Sequence, residues 1–347
     1  MSIFLRKKAA GKLIIMSLLC LMLFMAIVLK NGGHVTTTTS NPLTNYNNTT
    51  SIVSTINYEG IVTLQDMEEA MELYTTNSFP FPFIANPISR CQISPFLTMI
   101  TPSSPEEFVA REFARKYRGN VQDVLQHEII HLFIIGKPTE NKNVVTAKLL
   151  NESHSYGDII LIDVLDSYKN LTLKTIMMLK WISNYCSRTK YLLKVDNDVL
   201  VNLINLIRLL ESAPSSSFVT GKVSEHPFAF RRLTVKNPVT KEEWPLTNYP
   251  PVAVGTSYVI SGDVVKKLYQ ASLYTKLLNI EDVYVGILLS VIGVRPQHNE
   301  GFRVPAERAC LPKCCRYDAI TYHFDGSDNL IEHYREVKLL NLTGHCM

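Results

Sequence analysis

From about residue 105 onward, short β-branched apolar runs alternate with segments of helical period. The run "IIHLFIIG" (129–136) is too short and too rich in isoleucine for a helix, so it predicts a buried strand ending in a Gly turn. "NVVTAKLLNESHSYG" (143–157) predicts a helix and a loop, and "DIILID" (158–163) a second strand. "NLTLKTIMMLKWISNYC" (170–186) puts Leu171, Ile176, Leu179 and Ile182 near one face of an amphipathic helix. "KYLLKV" (190–195) predicts a third strand. Strand, helix, strand, helix, strand is the pattern of a parallel sheet with crossover helices, an α/β fold. Upstream the texture differs. Residues 58–100 are mixed, with a short helix expected around Asp66–Tyr74 and a break in regular structure at "FPFPFIANP". Residues 31–57 are dominated by Thr, Asn and Ser, without amphipathic period, and predict a solvated stem suited to O-glycans. Residues 13–29 form an uncharged apolar run of 17, near the lower limit for a bilayer-spanning helix.

Charge sharpens the meaning of that run. The chain of 347 residues is 46% hydrophobic and 19% charged, a globular composition, with a net charge of +4. Five basic residues and no acid fall within residues 1–30; without them the rest carries 30 basic and 31 acidic residues, a net of −1. The excess is a flank around the apolar run, which removes any argument for nucleic-acid binding. A cleaved signal peptide would have a shorter apolar core and a small-residue cleavage site, whereas this run ends in Lys30-Asn31-Gly32-Gly33. Four basic residues precede the run and one follows it, so the positive-inside rule predicts a type II anchor with residues 31–347 in the lumen. Cys20 lies in the run. Cys91, Cys186, Cys310, Cys314, Cys315 and Cys346 remain, an even set suited to disulfides in an oxidising compartment, with 15 possible pairings. "CLPKCC" lacks the spacing of a zinc ribbon. Sequons stand at Asn47, Asn48, Asn151, Asn170 and Asn341.

"HEIIH" at 127–131 spells the zinc-protease signature. On a helix, the two histidines would share a face and could grip one ion. On the strand predicted here, His127 and His131 stand roughly 13 Å apart, at about 3.3 Å per residue, too far to share it. A third ligand sought at Glu152 does not change that. The two histidines are expected to be ordinary polar residues of a strand.

The third strand runs into Asp196-Asn197-Asp198. In open α/β sheets, ligands bind beyond the carboxyl ends of the strands. Two carboxylates there suit a hard divalent cation such as Mg²⁺ or Mn²⁺ that bridges to a diphosphate. The plainer reading is an acidic turn capping the helix of "VLVNLINLIRLL". An EF-hand is excluded, because the sixth position from Asp196 is Val201 and the twelfth Ile207. Later, Glu281 and Asp282 open the helical run "VYVGILLSVIG", where acids favour a helix N-terminus.

"YGDIILIDVLDSYKNLTLKTIMMLKWISNYC", "KYLLKVDNDVLVN", "FVTGKV", "YPPVAVGTSYVIS" and "EDVYVG" resemble, in order, the motifs of the β-1,3-galactosyltransferase family of inverting β-1,3-glycosyltransferases. The likeness runs from about residue 105 to about 335. It implies a GT-A fold, a mainly parallel sheet flanked by helices that binds a UDP-sugar donor, and a divalent cation, Mn²⁺ in the first instance. By the same resemblance Asp198 holds the cation, Asp196 the ribose or a metal-bound water, Asn197 sits between them, and His323 lies near the metal. Asp282 becomes the general base, with Glu281 as its support or alternative. Arg111, Arg115 and Lys174 fall at donor-side positions, while Arg118 stands where Trp is usual. The expected organisation is a cytoplasmic tail (1–12), a signal anchor (13–29), a stem (30–100) and a catalytic domain (101–347), held in the Golgi membrane. The expected reaction moves galactose from UDP-galactose to the 3-hydroxyl of an acceptor sugar on a glycoprotein or glycolipid. Transfer of N-acetylglucosamine, and a non-catalytic lumenal binding or chaperone role on the same fold, are the alternatives.

Overall fold

The computed structural model describes residues 60–119, 123–124, 126–140, 142–232, 234, 237–304 and 318–323. The apolar run at 13–29, the Thr-rich stem, five of the cysteines and the sequons at Asn47, Asn48 and Asn341 lie outside them. Among the described residues, no helix is long and apolar enough to cross a membrane.

The main sheet is built from β1 (Phe83–Ala85), β2 (Leu97–Ser103), β4 (His127–Lys137), β5 (Ile159–Leu165), β6 (Tyr191–Val195), β8 (Val219–Ser224), β9 (Val252–Ser261) and β10 (Gln297–His298). The short β3 (Asp123–Val124) pairs beside β4. The strand order is β1-β5-β4-β2-β6-β9-β8-β10. The middle four, β5, β4, β2 and β6, run parallel, while β9 lies antiparallel between β6 and β8. A parallel sheet is covered on both faces, which is why these strands read as continuous apolar runs. Alternation still sorts their side chains. Ile130, Leu132 and Ile134 join Ile160 and Ile162 in the larger core, whereas Phe133 and Ile135 join Ile159 and Leu161 on the other face.

Helices cover both faces. α3 (Lys142–Tyr156) supplies Val145 and Leu149 to the Phe133 side. α4 (Leu171–Tyr185) packs on the face of the sheet that carries Leu132 and Ile134, together with α6 (Gly262–Ser272) and α7 (Glu281–Val291). α4 is buried around most of its circumference, from Thr172 through Ile182, because it is sandwiched between the sheet and these two helices. The single apolar face expected from its sequence is therefore too narrow. α5 (Leu203–Ser212) buries Leu203, Leu206, Ile207 and Leu210 against β6 and β2.

Three local expectations change. The strand through 129–136 does not turn at Gly136: it runs on to Lys137, and Gly136 permits a close approach, since a Cβ there would lie 2.6 Å from the Val164 carbonyl oxygen. "FPFPFIANP" contains β1, an edge strand antiparallel to β5. The acids at 196 and 198 do not cap a helix. They are followed by β7 (Val199–Val201), which pairs with β12 (Thr321–His323) and, through it, β11 (Phe302–Arg303) in a small second sheet. The next helix, α5, is capped by Asn202, whose side chain accepts from the Asn205 amide.

Residues 60–100, assigned above to a stem, belong to the packed unit. α1 (Leu64–Ala70) starts with a capping box between Thr63 and Asp66 and buries Met67. Leu73, Phe79 and Cys91 enter the larger core. Asn77 donates through its amide group to the carbonyls of Ser272 and Thr275. Cys91 is bonded to Cys186 at the end of α4.

Candidate active site

The carboxyl ends of the parallel strands open into a cavity of about 1250 Å³. Ser103 ends β2, Asp166 follows β5, and Asp196-Asn197-Asp198 follows β6; all of them line it. Lys174 from α4, Gly255 from β9, and Glu281 and Asp282 from the start of α7 line it as well. The fold thus collects in one chamber the two acidic motifs that lie far apart in sequence.

The acidic turn is held from several sides. Asn197 donates from its amide to Glu107 at 2.7 Å, and Glu107 also accepts from the Ser104 amide. The Asn197 Oδ1 is enclosed without a partner among the described residues. Pairing of β7 with β12 sets His323 opposite Val199, so His323 Nε2 lies 3.1 Å from Asp198 Oδ2. Burial pushes the Asp198 carboxyl upward, but the His323 hydrogen bond and charge, aided by the backbone and Arg118, leave it below its ordinary value.

Lys194 joins the two acidic motifs. It sits on β6, is 4% exposed, and its Nζ donates to Asp196 Oδ1 at 2.6 Å and to the Gly255 carbonyl. The same nitrogen is 3.8 Å from Glu281 Oε2. Burial disfavours its charge, but Asp196, Glu281 and Asp282 together more than reverse that and hold it protonated. Glu281 also accepts from Tyr258 at 2.7 Å and from Thr175 at 3.1 Å. Burial raises its pKa above the ordinary carboxyl value, with Lys194 opposing the rise and Asp282 adding to it. Glu281 is therefore walled in by donors. Asp282 is less enclosed: Oδ2 accepts from the Gly255 amide at 3.1 Å and Oδ1 from the Val283 amide at 2.9 Å. Gly255 makes this approach possible, since a Cβ there would lie 3.0 Å from Glu281 Oε2 and 3.2 Å from Asp282 Oδ2.

The donor-side basic residues separate into two groups. Lys174 lines the cavity, but its ammonium is engaged by Asp166 at 2.7 Å and the Ser103 carbonyl at 3.1 Å. Arg111 and Arg115 do not line it. Arg111, fully buried on α2 (Phe108–Ala114), binds Glu152, Ser103 and two carbonyls; Arg115 binds Glu152 and Asp158. The motif alignment put them at the donor, but two carboxylates on and just after α3 claim their guanidinium groups, so they brace α2 behind the cavity wall.

His127 and His131 are strand residues with separate partners. His127 stacks on Phe96 at 3.9 Å and meets Glu211, while His131 Nε2 lies 2.9 Å from Thr101 Oγ1. Asn151 is exposed on α3. Asn170 donates to the Leu165 carbonyl, and the hydroxyl of its sequon partner Thr172 is buried on the Leu278 carbonyl. Sequence reasoning missed Lys194, Glu107, Thr175 and Tyr258. A lone Lys inside the apolar run "KYLLKV" was the available signal for the first, because a buried ammonium requires acidic company.

Among the described residues, no three acidic or His and Cys side chains converge into a closed cation cage. Two nearby carboxylates, an enclosed and unpartnered amide oxygen, and room for phosphate oxygens nevertheless fit a hard cation of the Mg²⁺ or Mn²⁺ type, which takes few protein ligands and completes its shell with substrate and water. A site of this construction is that of a transferase acting on a diphosphate-activated donor.

Comparison with known proteins gives the family. The Galactosyltransferase family model matches residues 110–300. Beta-1,3-galactosyltransferase 1 of Mus musculus and of Homo sapiens are each 37% identical over 230 residues, covering 65% of this chain and 70% of the relative. UDP-GalNAc:beta-1,3-N-acetylgalactosaminyltransferase 1 of Rattus norvegicus is 35% identical over 271 residues, covering 76% of this chain and 81% of the relative. The chain belongs to the galactosyltransferase family, and it is a sugar-transferring enzyme. Among solved structures, galactosyltransferase LgtC in complex with donor and acceptor sugar analogs shows a remote likeness, at 14% identity and a TM-score of 0.39, over 69% of this chain and 94% of that one.

Proposed function

We propose that the protein is an inverting β-1,3-hexosyltransferase of GT-A type that moves galactose from UDP-galactose to the 3-hydroxyl of an acceptor sugar. The observation that carries the reading is the meeting of the Asp196–Asp198 turn and the Glu281–Asp282 pair across one cavity, in a chain of this family. Asp196 and Asp198, with His323 beside them, would hold the divalent cation, Mn²⁺ on this reading. When bound, it neutralises charge on the departing diphosphate. Asp282 acts as general base: it accepts the proton of the acceptor hydroxyl as that oxygen bonds to the anomeric carbon and the bond to UDP breaks. The two backbone amides on Asp282 fix its orientation while leaving lone pairs for that proton. Glu281 and Lys194 position the wall that carries it, and Lys174 and Glu107 shape the donor side.

A second donor, UDP-N-acetylgalactosamine, is favoured by the rat relative, whose match extends over more of this chain. On our reading the enzyme is a type II Golgi membrane protein, supported by the basic flank before residues 13–29 and by the Cys91–Cys186 bridge, which suits an oxidising compartment. A screen of purified residues 31–347 with Mn²⁺, three donors (UDP-galactose, UDP-N-acetylgalactosamine, UDP-N-acetylglucosamine) and a panel of simple glycoside acceptors tests the proposal. Transfer from UDP-galactose, with a β-1,3 linkage in the product, is expected. Exclusive use of another donor, or an α-linked product, overturns it.

A further inference from the structure

We propose that Arg118 is a positioning residue that shapes the Asp196–Asp198 turn before any ligand arrives. The inference rests on the reading above that this turn holds the donor's cation.

Arg118 lies in a turn of π-helix, Arg115–Gly119, that widens the end of α2. It is 1% exposed and one of the largest fully buried side chains among the described residues. One guanidinium nitrogen shares its two N–H groups among the Asp196 carbonyl at 3.0 Å, the Asn197 carbonyl at 3.1 Å and the Val199 carbonyl. The other terminal nitrogen donates to Thr101 Oγ1 on β2 at 3.3 Å, and Thr101 in turn meets His131 on β4. The fork therefore ties three carbonyls of a single turn to the two central strands of the sheet.

The geometry has a physical consequence. Three carbonyl oxygens converging on one point repel each other and, when buried, need a donor. A cation beneath them satisfies all three and draws the backbone dipoles inward. With its carbonyls turned inward, the Asp196–Asp198 turn keeps this curvature, and both acidic residues line the cavity. The same positive charge also favours the ionised Asp198 carboxylate. An ammonium could meet the carbonyls or Thr101, but it lacks the planar fork that reaches both.

The test uses purified residues 31–347 and reads binding rather than turnover. UDP affinity is measured by calorimetry across Mn²⁺ concentrations and without metal, for the parent chain, R118M, R118K, T101V and D198A. Expected for R118M is a rise of roughly tenfold or more in the Mn²⁺ needed for half-maximal UDP binding, the size of a lost charge-assisted hydrogen bond. Metal-free UDP binding should change by less than the Mn²⁺-dependent binding does, since without metal the turn can meet the nucleotide only through Asp196. R118K and T101V should each show a smaller rise in the same direction. If R118M keeps the parent Mn²⁺ dependence while D198A loses it, the proposal for Arg118 fails. If D198A also keeps it, the cation assignment of the turn is what fails. Should R118M not accumulate as folded protein, R118K and T101V decide: parent-like Mn²⁺ dependence in both overturns the proposal.

Discussion

Replacing Lys194 with Met removes a buried cation that stands between the two acidic motifs. Its Nζ lies 3.8 Å from Glu281 Oε2 and 2.6 Å from Asp196 Oδ1. At an effective dielectric near 20, a unit pair at the longer distance is worth about 4 kcal/mol. Losing one member of a buried pair costs about 3–5 kcal/mol in measured cases. Asp196 is 37% exposed on its side chain and is screened by water, so its share is small. The expected loss is therefore about 3 kcal/mol at pH 7.5, nearly all through Glu281. Glu281 has one escape, which is to take up a proton. Its folded pKa is already raised, and a raised carboxyl contributes stability that is present below its unfolded value of 4.5 and is lost as pH rises through the folded value. K194M should thus lose progressively more stability than the parent does as pH rises above 4.5. Changing Glu281 to Gln in the K194M background removes the stranded charge while keeping an oxygen for Tyr258 and Thr175. That double variant should recover about 2 kcal/mol at pH 7.5 and flatten the pH dependence. Urea unfolding of residues 31–347 at several pH values measures all of this. A K194M loss under about 1 kcal/mol, or a double variant no more stable than K194M, would refute the reasoning.

Three further outcomes follow from the site and its frame. D198A should abolish Mn²⁺-dependent UDP binding, whereas D282N should bind UDP normally and lower turnover by about 10²–10⁴-fold; calorimetry beside initial rates separates them, and near-full turnover in D282N would move the base elsewhere. His131 has its Nδ1 enclosed without a partner among the described residues, and its pKa is pushed well below 6.5, by burial first and then by Arg118 and Arg115. The unfolded chain therefore binds the extra proton, so stability falls as pH drops below about 6.5, by about 1.4 kcal/mol at pH 5.5; H131Q should lack that slope, and an unchanged acid limb would contradict it. The Cys91–Cys186 bridge closes a loop with a sequence separation of 95, so a C91S/C186S chain should be about 2–4 kcal/mol less stable, checked by urea unfolding with and without reductant.

The parallel strands were legible because burial on both faces writes them as unbroken apolar runs, and β4, β5 and β6 stand where those runs predict. The place of Asp196 and Asp198 at the cavity was legible because they end such a run, and ligands of open α/β sheets bind beyond the carboxyl ends of strands. Lys194 was not, since its partner Glu281 arrives on α7, and only the antiparallel register of β6 with β9, which sets Lys194 opposite Tyr258, brings them together. Arg111 and Arg115 show the converse. Their motif is local, yet their roles depend on Glu152 and Asp158, whose placement is a tertiary fact. The boundary at residue 100 was drawn too late for the same reason: Met67 and Leu73 lie in a weakly patterned stretch, and what buries them is the larger core built mostly by later segments.

The insertion of β9 beside β6 also sets a timetable. As the chain is synthesised from its N-terminus, β6 can pair with β2 at once, but its other edge stays bare until Val252–Ser261 has emerged. At about 5–20 residues per second that interval lasts several seconds. During it, Tyr191–Val195, buried throughout in the finished protein, offers an apolar strand edge with open amides and carbonyls to any neighbour. A chain cut short before β9 would not be a smaller enzyme. It would carry its acidic turn on a sticky margin, a ready substrate for chaperones and for its own kind.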